Sequence, residues 1–217
     1  MRKNRTIPFK SKPTYAFIVD GECEFWYFQM MKRNEHSLRI NLKPELPQKK
    51  KLSEQFEQVK EAAKDYKMVF WVIDFDVITK ETLETKKGKK PAIQEFNEYC
   101  AKLKRYKNVQ VIVNNPCFEF WLLLHFESTD KYFTNCDYVT KQLKKYLPDY
   151  EKTKEYFTKQ DNDIYLKLKP RLNEAIKNAK KLGVFDLNKW QSALAEMFIF
   201  FEEKTIKELI KKNNIQS

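Results

Sequence analysis

Two aspartates, Asp74 and Asp76, come at the end of the most strand-like run of the chain, residues 68–73. Residues two apart on an extended chain point to the same side, so both carboxylates are predicted to face one ligand while Phe75 turns into the protein. Two carboxylates this close repel each other unless one is protonated or a cation lies between them. Mg²⁺ or Mn²⁺ fits, because a hard cation binds carboxylate oxygens and keeps positions for water and phosphate. The alternative interpretation is a strand that simply ends at polar loop residues.

Elements that would position these carboxylates follow from four short apolar runs, at residues 15–19, 38–42, 68–73 and 109–113. Each run predicts a strand, and the segments between them are helical in period or length. This alternation is typical of an α/β fold with a mainly parallel four-stranded sheet flanked by helices. Ligands of such sheets bind at the carboxyl ends of the strands. The side chains at these ends are Asp20, Asp74, Asp76 and Asn114.

A third acid, Glu119, lies in a segment that is apolar nearly throughout, residues 117–126. Asn115 is a natural N-cap and Pro116 suits the first helical position, so a helix is predicted from there. A carboxylate inside an apolar helix needs a proton, a cationic partner or a metal. Two interpretations stay open for Glu119, a role at the metal site and an ion pair with a Lys or Arg. His125 is predicted to be a hydrogen-bonded core histidine.

The last third of the chain, residues 137–217, predicts helices only. One apolar stripe spans residues 164–182, with a kink or restart at Pro170, and another spans residues 190–201. The predicted organisation is an α/β core over residues 1–130 with a helical region, residues 131–217, packed on it.

The chain of 217 residues carries a net charge of +12, from 42 Lys and Arg against 30 Asp and Glu. A polyanion is the expected partner, and nucleic acid is the natural one. A Lys-rich loop is predicted over residues 79–90, where Lys86, Lys87, Lys89 and Lys90 would grip the phosphate backbone. Solvated surface lysines are the alternative. No helix-turn-helix, zinc-finger or RNP pattern is present, which favours phosphate contact over base reading.

A cytoplasmic protein is expected, because no apolar run of about 18 residues could span a membrane and the basic start lacks an apolar signal core. The four cysteines, Cys23, Cys100, Cys117 and Cys136, lie far apart in the sequence. They form no pair at zinc-site spacing, so they are expected to be buried reduced thiols.

Three segments together resemble the RloB family, whose core is a Toprim-like domain. They are residues 18–24 with Tyr27 and Phe28, residues 72–76, and residues 115–126. The third is the most specific, being twelve residues of unusual composition. A weaker likeness at residues 175–179 extends the resemblance over roughly residues 14–182.

The resemblance implies Mg²⁺-dependent chemistry on phosphodiester bonds. It implies that Asp74 and Asp76 hold the metal, that Asp20 ligates it or orients a water, and that Glu119 adds a further ligand or supports the others. The implied function is a nuclease acting on RNA or DNA in bacterial anti-phage defence, beside a partner ATPase. Whether the chain forms oligomers stays open.

Two departures from the family pattern motivate an alternative function. The family usually has Glu where this chain has Asp20, which is shorter by about one 1.5 Å bond, and often another acid where it has Val77. The alternative is a catalytically impaired subunit that binds nucleic acid or the ATPase. Primase- or topoisomerase-like chemistry is not favoured, because no nucleotide-binding loop or strand-passage module is recognisable.

Overall fold

The computed structural model of the chain describes residues 14–43 and 51–215. The basic start of the chain lies outside these residues.

Five strands and a series of short helices make up the described chain. The strands are β1 (Tyr15–Ile18), β2 (Ile40–Lys43), β3 (Met68–Asp74), β4 (Val109–Asn115) and β5 (Leu194–Ala195). The first helices are α1 (Glu22–Asn34), α2 (Leu52–Asp65), α3 (Phe75–Leu83), α4 (Ala92–Leu103), α5 (Phe118–Leu123) and α6 (Cys136–Leu143). The later ones are α7 (Lys154–Thr158), α8 (Ile164–Leu168), α9 (Leu172–Leu182), α10 (Phe198–Glu202) and α11 (Lys204–Ile215).

These strands form one sheet in the order β2-β1-β3-β4-β5. The first four are parallel, as their helical crossovers require, and β5 runs antiparallel to β4. The predicted α/β fold with a mainly parallel sheet is therefore confirmed. The fifth strand was not predicted.

The sheet is covered on both faces, and alternate residues of β3 show how the core divides. Phe70 and Val72 pack with α1, α5 and the C-terminal helices, on what we call the α1 face. Val69, Trp71 and Ile73 pack with α2, α3 and α4, on the α2 face. The α1-face cluster joins side chains from both sides of residue 130, and the predicted division there stays a prediction.

Helix α3 corrects the predicted loop over residues 79–90. It begins directly after Asp74 and continues to Leu83, leaving a turn only from residue 84 to residue 91. Phe75 and Ile78 are buried one helical turn apart, and this apolar anchor outweighs the polar residues that follow it at 79–82. Helix α5 likewise begins at Phe118, with Cys117 rather than Asn115 at its N-cap.

The prediction of helices alone after residue 137 was wrong, because β5 interrupts the apolar stripe of residues 190–201. Leu194 and Ala195 pair with the end of β4. The buried Glu196 carboxylate accepts hydrogen bonds from the N–H groups of Val113 and Phe185, both at 2.8 Å, which ties this segment to the sheet. The restart at Pro170 is confirmed as a 3₁₀ turn, Lys169–Arg171, between α8 and α9. Within the described chain, no helix has the length and apolar character needed to cross a membrane.

Candidate metal centre

Asp74, the last residue of β3, lies beside Asn114 of β4 in the parallel register. Both side chains share the α1 face, because they follow the alternation of Phe70 and Val72 on β3 and of Ile112 on β4. The buried Asp74 Oδ1 and both polar side-chain atoms of Asn114 have no hydrogen-bond partner among the described residues. Such buried atoms are costly unless water, a cation or a ligand satisfies them. This edge of the sheet is therefore built for a polar occupant.

Glu24, in the first turn of α1, brings a second carboxylate to this edge and is only 3% exposed. Gly21 makes room for it, since a Cβ at that position would collide with the Glu24 carboxylate. Burial, together with the charges of Glu119 and Asp20, raises the pKa of Glu24 to about 8. Glu24 was not among the predicted site residues. Its place three residues after the N-cap Gly21, where a capping-box Glu stands, was the available signal.

Asp76 lies in the first turn of α3, and its N–H donates to the carbonyl of Pro116 at 3.0 Å. Burial, followed by the charge of Glu119, raises its pKa to about 6. The pKa of Asp74 is raised well above its usual range by burial and by Glu24, Glu119 and Asp76 in turn. The acids of this edge thus repel one another in a desolvated place.

Glu119, on α5, is the most heavily contacted of these acids. Its Oε1 accepts from the Lys152 ammonium at 2.9 Å and from the Tyr150 hydroxyl at 3.0 Å. The ion pair predicted for Glu119 is therefore confirmed. Its role at a metal site stays a prediction, and its position beside Asp74 and Asp76 is consistent with it. Tyr150 and Lys152 come from the loop between α6 and α7, which has no periodic pattern, so sequence reasoning missed them.

A disulfide joins Cys117 to Cys136 across 19 residues, with Cα atoms 5.7 Å apart. The expectation that all four cysteines are reduced thiols is thus wrong for this pair, while Cys23 and Cys100 are free. Distance along the chain misled the prediction, because the turns after β4 bring the starts of α5 and α6 together. Donor atoms of Asp74, Cys117 and Glu119 lie within 4.8 Å of one another, as do those of Asp76, Cys117 and Cys136.

Asp20 adjoins Asp74 from the α2 side of the sheet. It lines a small cavity of about 10 Å³ on the α2 face with Gln55 and Glu81, and only Asp74 of the predicted acids shares that cavity. Its charge reaches the centre through Glu24. The structure thus brings together Asp74, Asp76 and Glu119 of the predicted set, places Asp20 beside Asp74, and adds Glu24.

The donor chemistry of this centre fits a hard divalent cation. Four carboxylates, those of Glu24, Asp74, Asp76 and Glu119, lie at one edge, and Lys152 is the cation paired with one of them. Carboxylate and amide oxygens are the ligands preferred by Mg²⁺ and Mn²⁺. A bound cation would remove the mutual repulsion that raises the pKa values of these acids.

The predicted phosphate-gripping lysines, Lys86, Lys87, Lys89 and Lys90, are exposed in the turn between α3 and α4. Lys90 pairs with Glu98 at 2.6 Å. A cavity of about 320 Å³ starts at Asp76 and follows α3 as far as Leu83 and Glu84, just before this turn.

His125 matches its prediction. It is buried, its Nδ1 lies 3.0 Å from the carbonyl of Trp121, and burial lowers its pKa to about 4.

The similarity of the chain to known proteins lies at the level of a family. No curated protein and no solved structure matches the chain significantly. A family model described as RloB-like protein matches residues 15–210, a span that includes every acid of the candidate centre and the loop that carries Lys152. The chain therefore belongs to the RloB-like protein family.

Proposed function

We propose that this protein is a divalent-metal-dependent nuclease that hydrolyses phosphodiester bonds of RNA or DNA. The observation that carries the proposal is the buried group of carboxylates around Asp74, beside the unsatisfied Asn114 amide at the carboxyl ends of parallel strands. Acids are desolvated together in this way at sites that bind a cation or move protons. The net charge of +12 suits a polyanionic substrate.

Each residue of the centre has a proposed role. Asp74 and Asp76 would hold Mg²⁺ or Mn²⁺, with Glu119 and Glu24 beside them. A metal in this place supplies the charge that polarises a phosphate and stabilises its transition state. Lys152, which is partly exposed and paired with Glu119, would add positive charge where a phosphate approaches. Gly21 keeps the space that Glu24 needs.

The proposed setting is bacterial anti-phage defence, with a partner ATPase. Membership of the RloB-like family supports this setting. The nuclease activity would then be toxic to the cell that expresses it.

A second candidate is a subunit that binds nucleic acid or the ATPase without cutting. One observation favours it, the Lys152 ammonium 2.9 Å from Glu119, because the protein supplies its own cation to the acidic centre. The two departures from the family pattern, Asp20 and Val77, add to it.

Cleavage assays on tRNA, mRNA and duplex DNA with Mg²⁺ or Mn²⁺ test the first candidate. We expect the wild type to cut one of these substrates, and Asp74→Asn with Asp76→Asn to lower the rate by about a thousandfold or more, since the metal ligands are lost. Asp65→Asn, an exposed acid at the end of α2, is the matched control and should keep full activity.

Full cleavage and toxicity in the Asp74→Asn, Asp76→Asn double variant would rule out the proposed centre. Nucleic-acid binding without cleavage by the wild type under any metal would favour the second candidate.

A further inference from the structure

The cavity that begins at Asp76 continues into a second one, of about 450 Å³, on the surface of α6. Tyr132 and Thr134 line both cavities. We call this continuous surface the α6 groove. Lys131, Tyr138, Lys141 and Lys145 line its outer half.

The lysines of the α6 groove are not neutralised by the protein. Lys131, Lys141 and Lys145 take part in none of the ion pairs between described residues. This leaves three ammonium groups on one surface to attract an anion.

Another lysine-rich cavity, of about 460 Å³ between α9 and α11, is different. There Lys180 and Lys207 pair with Glu202 at 2.6 and 2.9 Å, and Lys169 pairs with Glu35 at 2.8 Å. Of the four lysines that line that cavity, only Lys177 has no ion pair among the described residues, whereas Lys131, Lys141 and Lys145 of the α6 groove all lack one.

Two exposed aromatic rings stand among these lysines. Tyr138 is 53% exposed and Tyr132 is 37% exposed. The Lys141 ammonium lies 5.4 Å from the centre of the Tyr138 ring. The Tyr138 backbone is fixed, because the Asn135 side chain caps α6 by accepting from the N–H groups of Asp137 and Tyr138. Open rings beside lysines are the arrangement by which proteins stack unpaired bases and hold the phosphates between them.

We propose that the α6 groove binds single-stranded nucleic acid and delivers it to the carboxylates at Asp76. Delivery of the strand towards Asp76 rests on the proposed nuclease function. Binding of the strand to the groove does not depend on cleavage. Bases of a duplex are stacked and paired with one another, so their faces cannot reach Tyr132 or Tyr138. The substrate class is therefore a single strand or an unpaired loop.

Fluorescence anisotropy in EDTA measures this binding without cleavage. The probes are a labelled single-stranded oligonucleotide, as RNA and as DNA, and a duplex of the same length. We expect the full chain to bind the single strand at least tenfold more tightly. Tyr138→Ala should weaken single-strand binding by about tenfold, in line with the loss of one stacked base.

Charge at the groove is tested by Lys141→Ala with Lys145→Ala. This double variant should weaken binding and reduce the slope of log affinity against log salt by about 1.4, because two phosphate contacts are lost. Lys104→Ala with Lys107→Ala, exposed lysines before the start of β4, is the charge-matched control. Tyr146→Ala is the control for the rings, since Tyr146 is exposed but stacks on Phe126 outside the groove.

Three results would each overturn the proposed binding site. They are equal binding of single strand and duplex, unchanged binding by Tyr138→Ala, and equal losses of affinity in the control variants. The two proposals fail in different ways. If cleavage depends on Asp74 but the groove variants bind and cut normally, the nuclease proposal stands and the groove proposal fails. If the groove variants lose single-strand binding but the wild type cuts no substrate, the groove proposal stands and the nuclease proposal fails.

Discussion

Glu24 and Asp74 are buried carboxylates whose pKa values report how crowded the centre is. The pKa of Glu24 rises from near 4.5 to about 8 through burial and then through Glu119 and Asp20, and that of Asp74 rises well above its usual range. Without a metal such acids favour the protonated form, whereas a bound cation favours the ionised form. Proton uptake and metal binding at this centre are therefore expected to compete.

Stability of the metal-free protein should fall as pH rises from 6.5 to 8. In this window the folded Glu24 keeps its proton and the unfolded Glu24 has lost it, so the unfolded state binds fewer protons and the free energy of unfolding decreases with pH. We expect a loss of about 1–2 kcal/mol over the window. Urea unfolding in EDTA measures it. The window starts at 6.5 because the buried His125, with a pKa of about 4, opposes the trend below that pH.

Glu24→Gln provides the comparison for this prediction. It should flatten the decline between pH 6.5 and 8, and Mg²⁺ should do the same in the wild type by holding the ionised carboxylates. A wild-type stability that rises with pH in EDTA would contradict the raised pKa values.

At the scale of elements, the long apolar strands were predictable and the short or adaptive segments were not. Strands β1, β3 and β4 follow from continuous apolar runs, which a buried parallel sheet requires. Strand β5 has two residues, too few for any periodicity, and exists because the edge of β4 and the Glu196 carboxylate hold it. Helix α3 was missed because its two buried anchors stand among polar residues.

The start of α1 carries the prediction at this scale. Gly21→Ala should displace the Glu24 carboxylate, because the added Cβ would occupy its place, and should weaken Mg²⁺ binding by about tenfold, or roughly 1.4 kcal/mol. The backbone of Gly21 is extended, with φ of −100° and ψ of 153°, so alanine itself causes no backbone strain there. Calorimetric titration measures the change.

A double-mutant cycle controls this experiment. In a Glu24→Gln background, Gly21→Ala should have much less further effect on Mg²⁺ affinity. An equal loss in both backgrounds would show that Gly21 acts independently of Glu24.

At the scale of the whole molecule, the centre draws on segments far apart in the sequence. Asp74, Asp76 and Glu119 were predictable because strand ends and an isolated acid in an apolar segment are visible in the sequence. Tyr150, Lys152 and the partner of Cys117 were not, because they come from irregular segments that only the packing of α6 and α7 places there. Asp20, which was assigned to the centre because it ends β1, adjoins Asp74 in a small cavity that Gln55 and Glu81 also line.

The placement of charge was also predictable only in part. The sequence predicted a basic surface for a polyanion, and it pointed to Lys86, Lys87, Lys89 and Lys90 because they follow Asp76 in the chain. The structure adds a second lysine-lined surface, the α6 groove, whose first cavity reaches Asp76. The α6 groove is distinguished by its continuity in space with Asp76, which cannot be read from the order of residues in the sequence.

Calorimetric titration of the purified protein with Mn²⁺ at pH 8 tests the central claim, that the carboxylates around Asp74 form a metal centre. We expect saturable binding by the wild type and by Asp65→Asn. Asp74→Asn should lose at least a hundredfold in affinity, because it removes the charge of the central ligand. Circular dichroism should show that both variants keep the fold. The absence of Mn²⁺ binding to the wild type, or equal binding by Asp74→Asn, would contradict it.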